Sequence, residues 1–485
     1  MNVKAISRYV GCALLVSALF MLLSILVSVS RGNDSALAAL TISFTITFIV
    51  GIFPFIFVRR TSAITLKDGY MIIFLSWLLS FVFGMLPYVL WGGPFTVENA
   101  WFESVSGFTT TGATILSDVE ALPDSLLFWR SSTHFIGGLG VVVFILLIIP
   151  SSSPIRMRLT NMELSSLSRE GYQVRTNRTA LIFANIYIGL MIFAFFAYWI
   201  AGMSAFDAIC HAFSVCATGG FSTKNLSIGA FDSRAIEAVT MTVMLLSSIH
   251  FGLIFLSFAN RSLKPLNNPV LKFYLGALVF FTLYLAFGLR ATGLGAASFG
   301  RTVWDSAFQT LCVASTSGFA TMDNAAWPMA LNLELLFLGT VCGCAGSTSG
   351  GIKTDRIVVL FKSIGRQMNR ILHPSTVSEV RLGNGFVKDE EASQMLLYIG
   401  MYALILVFSV GLVLMTGMDA EESFASTISS LSNVGPSIKS VGTLGNFGAI
   451  PSAAKLVYTA DMFLGRIEIY PILAVVAMIF HRNRK

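Results

Sequence analysis

Four short stretches of this chain echo one another at intervals of about a hundred residues, each set between two long apolar segments. They read Thr110-Thr111-Gly112-Ala113-Thr114, Thr218-Gly219-Gly220-Phe221-Ser222, Thr316-Ser317-Gly318-Phe319-Ala320 and Asn433-Val434-Gly435-Pro436-Ser437. A glycine recurs at one register in all four, and threonine stands two residues before it in the first three. Repetition at a long, fixed period sets the architecture of a chain. Four copies of one Gly-centred loop, in a membrane chain, predict a pseudo-fourfold ion pore folded from a single polypeptide.

The membrane reading rests on composition. Of 485 residues, 55% are hydrophobic and only 12% charged, where a soluble domain carries about 25% charged residues. Apolar runs long enough to cross a bilayer, about 20 residues each, occur repeatedly. The run from Val10 to Val29 is too long for a signal-peptide core and is read as a first helix. The formal charge of +7 does not point to nucleic acid, because of how it is distributed. Basic clusters occupy Arg59-Arg60, Arg156 to Arg178, Arg261 to Lys272, Lys353 to Lys388 and Arg482 to Lys485, while acidic residues fill the alternate connections. Lys and Arg mark cytoplasmic loops. Both termini are then cytoplasmic and all four Gly loops face outside. The six cysteines lie inside apolar stretches without ligand or disulfide spacing.

The predicted fold is all-α and polytopic. Residues 5–30 and 36–58 form a preliminary helix pair, and four units follow. Outer helices are expected near 68–92, 180–202, 270–292 and 394–417, and second helices near 123–150, 234–260, 330–370 and 453–480. Between them lie four re-entrant half-length helices ending at the Gly loops. Non-helical backbone at membrane depth is tolerated where it lines a cavity or is buried in protein. The division is 1–64 (helix pair), 65–155, 156–264, 265–375 and 376–485. Thirteen residues before each registered glycine stand Asn99, Asp207, Asp305 and Glu422. These are expected to cap the half-helices and favour their positive dipole ends.

A potassium ion crossing a membrane must exchange its hydration shell for protein oxygens, and rings of backbone carbonyls supply them. Turning successive carbonyls inward needs backbone angles that glycine alone adopts freely. The candidate filter is therefore Thr110, Thr111 and Gly112; Thr218, Gly219 and Gly220; Thr316, Ser317 and Gly318; and Asn433, Val434 and Gly435. The threonines add backbone and hydroxyl oxygens at the inner end, with Asn433 standing in.

These segments, from Ser106 to Gly112, Ala217 to Thr223, Ser315 to Thr321 and Ser432 to Pro436, resemble the four filter segments of the Trk/Ktr/HKT potassium transporters. His134-Phe135-Ile136-Gly137-Gly138-Leu139-Gly140 and Gly343 to Lys353 match as well. The resemblance covers essentially the whole chain. It implies potassium as the transported and filter-bound ion, with no covalent cofactor, and a bacterial inner-membrane location. It also implies a homodimer whose protomers each have their own pore, assembled on a cytosolic TrkA-like nucleotide-binding regulatory ring. In this family a serine at the first-repeat glycine goes with sodium permeation, so Gly112 implies potassium selectivity. The fourth loop departs from the others, with Val434 and Pro436 flanking Gly435.

The stretch Gly343 to Ile352 interrupts the second helix of unit three with Gly and Ser, which are poor helix formers. It is not a phosphate-binding loop: after Gly346-x4-Gly351 a lysine would be required, yet Ile352 stands there and Lys353 comes one late. By the residues alone it is either a gate or a structural kink between packed helices. The resemblance implies a gate formed by Gly346, Ser347, Thr348, Ser349, Gly350 and Gly351 with Lys353. Arg466, inside the last apolar helix, is costly at membrane depth and requires a cavity or partner; the resemblance puts it beside the gating loop. Glu468 and Asp461 are poorly placed to share its face. Arg130 is read as snorkelling or pairing with a half-helix acid, and His134 as a packed histidine. Two rival functions are a proton- or sodium-coupled symporter with alternating access and an intramembrane enzyme. Inverted repeats would place equivalent segments on opposite faces, and no nucleophile–base pair or metal cluster supports an enzyme.

Overall fold

The computed structural model describes residues 2–58, 65–140, 176–373, 380–382 and 385–482. Six helices in it are long and apolar enough to cross a membrane: Val3–Ser30, Leu37–Phe57, Lys67–Trp91, Leu181–Ile200, Pro269–Ala291 and Asp389–Leu414. They coincide with the expected helix pair and the four outer helices. The pair is tied to the rest through its connecting turn. Asp34 accepts from the Ser125 amide (3.1 Å) and hydroxyl (2.9 Å), and Arg31 pairs with Asp124 at 2.9 Å. Among the described residues the one departure from an all-helical chain is a two-stranded antiparallel hairpin, Val380–Leu382 with Gly385–Val387.

Four shorter helices, Val97–Phe108, Ala205–Cys216, Phe299–Ala314 and Ala420–Ser432, precede the four Gly loops. Their residues nearest the loops are almost all buried. Large aromatic side chains, among them Trp77, Phe81, Phe102, Phe108 and Trp129, fill the core beside the first of them.

The second helices differ from expectation: in the second, third and fourth units each is divided in two, and in the first the helix ends early. In the first unit Asp124–Leu139 ends at Gly140, with φ +85°; the expected continuation to residue 150 lies outside the described residues, as does most of the basic stretch 156–178. In the second, Arg234–Ser248 and Phe251–Ala259 are bent by 97° across Ile249 and His250. In the third, Met329–Val341 and Thr354–Leu372 flank the Gly-rich loop. In the fourth, Ser452–Arg466 and Tyr470–Arg482 are separated by Glu468 and Ile469, at φ +59° and +57°.

Candidate ion filter and gate

Each short helix ends in the same way. The amides of Thr110, Thr218, Thr316 and Asn433 donate to Gly107, Val215, Val313 and Ser430, at 3.0 to 3.2 Å. The amides one residue later donate to Ser106, Ser214, Cys312 and Ser429, each at 2.9 Å. This paired pattern is a Schellman motif, which satisfies orphan carbonyls at a helix C-terminus and needs a left-handed residue. Thr110, Thr218, Thr316 and Asn433 occupy that position, at φ +54° to +59°. Asparagine tolerates it, but a β-branched threonine there is a genuine outlier of the kind found at functional sites, at a cost of about 1–3 kcal/mol. The sequence reading placed positive φ on the glycines alone; the threonines carry it as well.

Two residues later Gly112, Gly220, Gly318 and Gly435 also have positive φ, from +67° to +96°. Each lies against the carbonyl of the middle residue of the next loop. A Cβ on Gly112 would sit 1.9 Å from the Gly219 oxygen, and one on Gly220 2.2 Å from that of Ser317. On Gly318 it would meet Val434 at 2.5 Å, and on Gly435 it would meet Thr111 at 2.3 Å. The contacts run first to second to third to fourth and back to the first, closing a ring. All four glycines line one cavity, together with Thr114, Ser117, Ser222, Lys224, Asn225 and Thr443 among others.

Buried side chains brace the ring in a pattern that sequence reasoning missed. Six residues before the registered glycine, Ser106, Cys312 and Ser429 donate across the loop to the carbonyls of Ala113, Phe319 and Pro436, at 2.6 to 2.8 Å. The equivalent Ser214 meets Nδ1 of His134 at 2.9 Å instead, and that imidazole stacks on Phe221 with centroids 4.0 Å apart. Nine residues before the glycine, Glu103 accepts from Thr114 Oγ1 (3.0 Å), His211 Nε2 meets Ser222 (2.9 Å) and Ser426 meets Ser437 (3.3 Å). A small hydroxyl or thiol at one offset in all four units was the available signal. Glu103 is also the half-helix acid that pairs with Arg130, at 2.6 Å, both side chains being buried. The Arg130 guanidinium lies 3.5 Å from the centroid of Phe221 and donates to the Ser222 carbonyl.

The four expected caps are not the caps. Thr96, Ser204 and Ser298 accept from the amides of Asn99, Asp207 and Arg301, and Asp419 occupies the N-cap position of the fourth short helix. Asn99, Asp207 and Glu422 therefore lie in the first turn; a hydroxyl three residues upstream caps the first two helices, and Asp419 holds the N-cap position of the fourth without a side-chain cap bond. The third helix starts one turn earlier than the offset implies, so Asp305 lies in its interior and pairs with Arg301 at 2.8 Å. The first-turn residues bind elsewhere. Asn99 accepts from buried Lys455 at 2.9 Å, joining the first and fourth units, Asp207 accepts from Thr223 at 2.6 Å, and Glu422 accepts from the Ser440 amide at 2.9 Å.

The 343–352 loop lies directly beneath the threonine positions. The Gly350 amide donates to Thr316 Oγ1 at 2.9 Å, and a Cβ on Gly350 would lie 2.1 Å from the Ser432 oxygen. Thr348 Oγ1 donates to the carbonyls of Cys216 and Ser247, both at 3.1 Å. The amides of Cys344 and Thr348 take the carbonyls of Ser248 and Ser247, and Phe251 donates back to Gly346 at 3.0 Å. The loop is thus the hydrogen-bonding partner of the broken helix in unit two. Within it Ser347 and Ser349 hydroxyls bond at 2.7 Å, the Ala345 amide donates to Asp355 at 2.6 Å, and Lys353 Nζ, buried, donates to the Ser349 carbonyl. Gly351, at φ +68°, packs against Cys342.

Arg466 reaches this loop from the fourth unit. Its guanidinium donates to the Thr348 carbonyl at 2.8 Å and to Gly137 and Gly138 at 2.7 and 3.2 Å. It joins the 343–352 loop to the His134–Gly140 segment. Glu468 forms its ion pair with Arg356 at 2.6 Å, and Asp461 accepts from Ser409 at 2.7 Å. Among the described residues no three His, Cys, Asp or Glu side chains are grouped as a metal site.

Known proteins resemble this chain in sequence and overall fold. The model of the TrkH family, described as a cation transport protein, matches residues 36–484. The Trk system potassium uptake protein TrkH of Salmonella typhimurium is 34% identical over 499 residues, spanning 100% of both chains. The protein of that name from Escherichia coli is 33% identical over 492 residues, again spanning 100% of both. The crystal structure of the potassium transporter TrkH from Vibrio parahaemolyticus matches with a TM-score of 0.86 and 32% identity, covering 98% of each chain. This chain belongs to the TrkH family of cation transport proteins.

Proposed function

We propose that the chain takes up potassium across the bacterial inner membrane through a gated, potassium-selective, channel-like pore. The observation that carries this reading is the closed ring of four loops, each with a left-handed Thr or Asn followed by a left-handed glycine, with the 343–352 loop hydrogen-bonded to its underside. Relatives named as potassium uptake proteins support potassium as the ion. In this reading the triplets 110–112, 218–220, 316–318 and 433–435 hold the partly dehydrated ion, and oxygens of the ring replace its water. The strain at three threonines is offset by the cap bonds and by the buried braces, so the oxygens are set before the ion arrives.

The loop from Gly346 to Gly351, with Lys353 and Arg466, closes the path below. A guanidinium at that depth repels cations, and its bonds to Thr348, Gly137 and Gly138 hold the loop in place. The units 65–155, 156–264, 265–375 and 376–485 each contribute one quarter of the ring, and the pair within 1–64 braces the first. The working assembly is a homodimer on a cytosolic TrkA-like nucleotide-binding ring, with both termini cytoplasmic. All four loops meeting in one ring favours this path over an alternating-access symporter, whose inverted repeats face opposite sides.

The test is ion flux in proteoliposomes. Gly112→Ser must displace the Gly219 carbonyl, because its Cβ falls 1.9 Å from that oxygen. The potassium-over-sodium ratio is expected to fall by at least about tenfold, equivalent to roughly 1.4 kcal/mol. An unchanged ratio would remove Gly112 from the filter.

A further inference from the structure

The cavity that holds the four registered glycines is walled by the segments that follow them, and no residue of the 343–352 loop lines it. Its charge is one-sided. Among the described residues no Asp or Glu lines this cavity, and the two charged side chains that do are Arg130 and Lys224. Arg130 is neutralised by Glu103, at 2.6 Å. Lys224 is not: its half-buried side chain makes no ion pair or hydrogen bond among the described residues. Its neighbour takes the acids of the adjoining loop instead. Asn225 Nδ2 donates to Asp118 at 2.9 Å, and the Asn225 amide donates to Glu120 at 3.0 Å. Asn225 Oδ1 accepts from the Val119 amide at 2.7 Å, and the Lys224 amide donates to Ser222 Oγ at 3.0 Å. These bonds hold the backbone that carries Lys224 while leaving its ammonium unneutralised.

We propose, on the pore reading of the ring, that Lys224 is a valence filter at its mouth, excluding divalent cations more strongly than it hinders monovalent ones. Repulsion by a fixed charge scales with the charge of the approaching ion. A lysine that lowers monovalent occupancy by some factor therefore lowers divalent occupancy by the square of that factor. The ring cannot do this unaided, because its oxygens attract a divalent ion of potassium's size, such as barium, more strongly than potassium itself. One unpaired ammonium in the cavity opposes that preference before the ion reaches the glycines. Arg130 does not share the task, since its charge is matched by Glu103.

Rubidium uptake by the full chain in proteoliposomes, with barium added outside, tests this. Lys224→Gln is expected to lower the apparent KM for rubidium by about threefold and the inhibitory concentration of barium by about ninefold. Lys224→Glu should move both further in the same direction, and Lys224→Arg should match the wild type. At about 1 M of an impermeant salt, where the Debye length is about 3 Å, the variants should converge. Barium inhibition in Lys224→Gln and Lys224→Glu equal to that of the wild type overturns the proposal. So does an equal shift in Lys224→Arg, which keeps the charge. Gly112→Ser, measured beside them, separates this proposal from the filter assignment. Unshifted barium inhibition beside a fallen potassium-over-sodium ratio overturns the valence filter alone. Shifted inhibition beside an intact ratio keeps Lys224 at the mouth of an ion path and removes Gly112 from the filter.

Discussion

The ring of Gly loops and the helix ends and breaks beneath it are built on opposite plans. In the ring, one backbone motif occurs four times: the same two cap bonds, the same pair of left-handed residues and the same contact with the next loop. Below it no two of these interruptions are alike among the described residues. One is a glycine, one an Ile-His bend, one a ten-residue Gly-rich loop and one a pair of left-handed residues after an arginine. An ion surrounded by oxygens gains from equivalent ligands on all sides, whereas a barrier needs only one element that moves. In the proposed reading, ion choice resides in what is repeated and control in what is not.

The largest expected effect is on the ring's support. Glu103→Gln leaves Arg130 buried without its carboxylate, and loss of one partner of a buried pair costs about 3–5 kcal/mol. Thermal unfolding of the purified protein should fall accordingly, and a wild-type melting temperature would show that the pair does not brace the ring. Arg466→Ala removes three carbonyl contacts from the lower tier. At about 1.5–3 kcal/mol for a charge-assisted bond, basal rubidium flux should rise by tenfold or more with selectivity retained. Wild-type flux in that variant would separate Arg466 from the barrier. A subtler change distinguishes two threonines of the ring itself. Thr316→Val deprives the Gly350 amide of its acceptor, at about 1–3 kcal/mol, whereas Thr218 Oγ1 donates to its neighbour Ala217. Basal flux should therefore rise more for Thr316→Val than for Thr218→Val, and equal effects would uncouple the loop from the ring.

What the sequence made legible follows from how local each signal is. Spans are read from uninterrupted apolar runs, and the outer helices fall within a few residues of expectation. The Gly register reports a backbone conformation, and that conformation is present. Caps were misplaced because the offset from the glycine was followed rather than the hydroxyl three residues upstream, and Asp305 sits on a helix with an extra first turn. The break at Ile249 and His250 carries no glycine or proline. Its freed carbonyls, on Ser247 and Ser248, are satisfied by amides of the 343–352 loop nearly a hundred residues away. Such a break depends on tertiary partners, so no local pattern announces it. Glu103, likewise, is one acid on a buried face until Arg130 and Thr114 are brought to it.

In the proposed pore selection and gating reside in separate elements, and one measurement tests that separation most directly. Deletion of Ala345 to Gly350 removes the loop without altering any residue of the four triplets. In proteoliposomes carrying this variant, uptake of potassium, rubidium and sodium should be compared with that of the wild type, with and without an imposed pH gradient. The expected result is faster potassium and rubidium flux, an unchanged potassium-over-sodium ratio and no dependence on the gradient. Flux that stays at the wild-type level, or that rises only together with a collapse of selectivity, would contradict it.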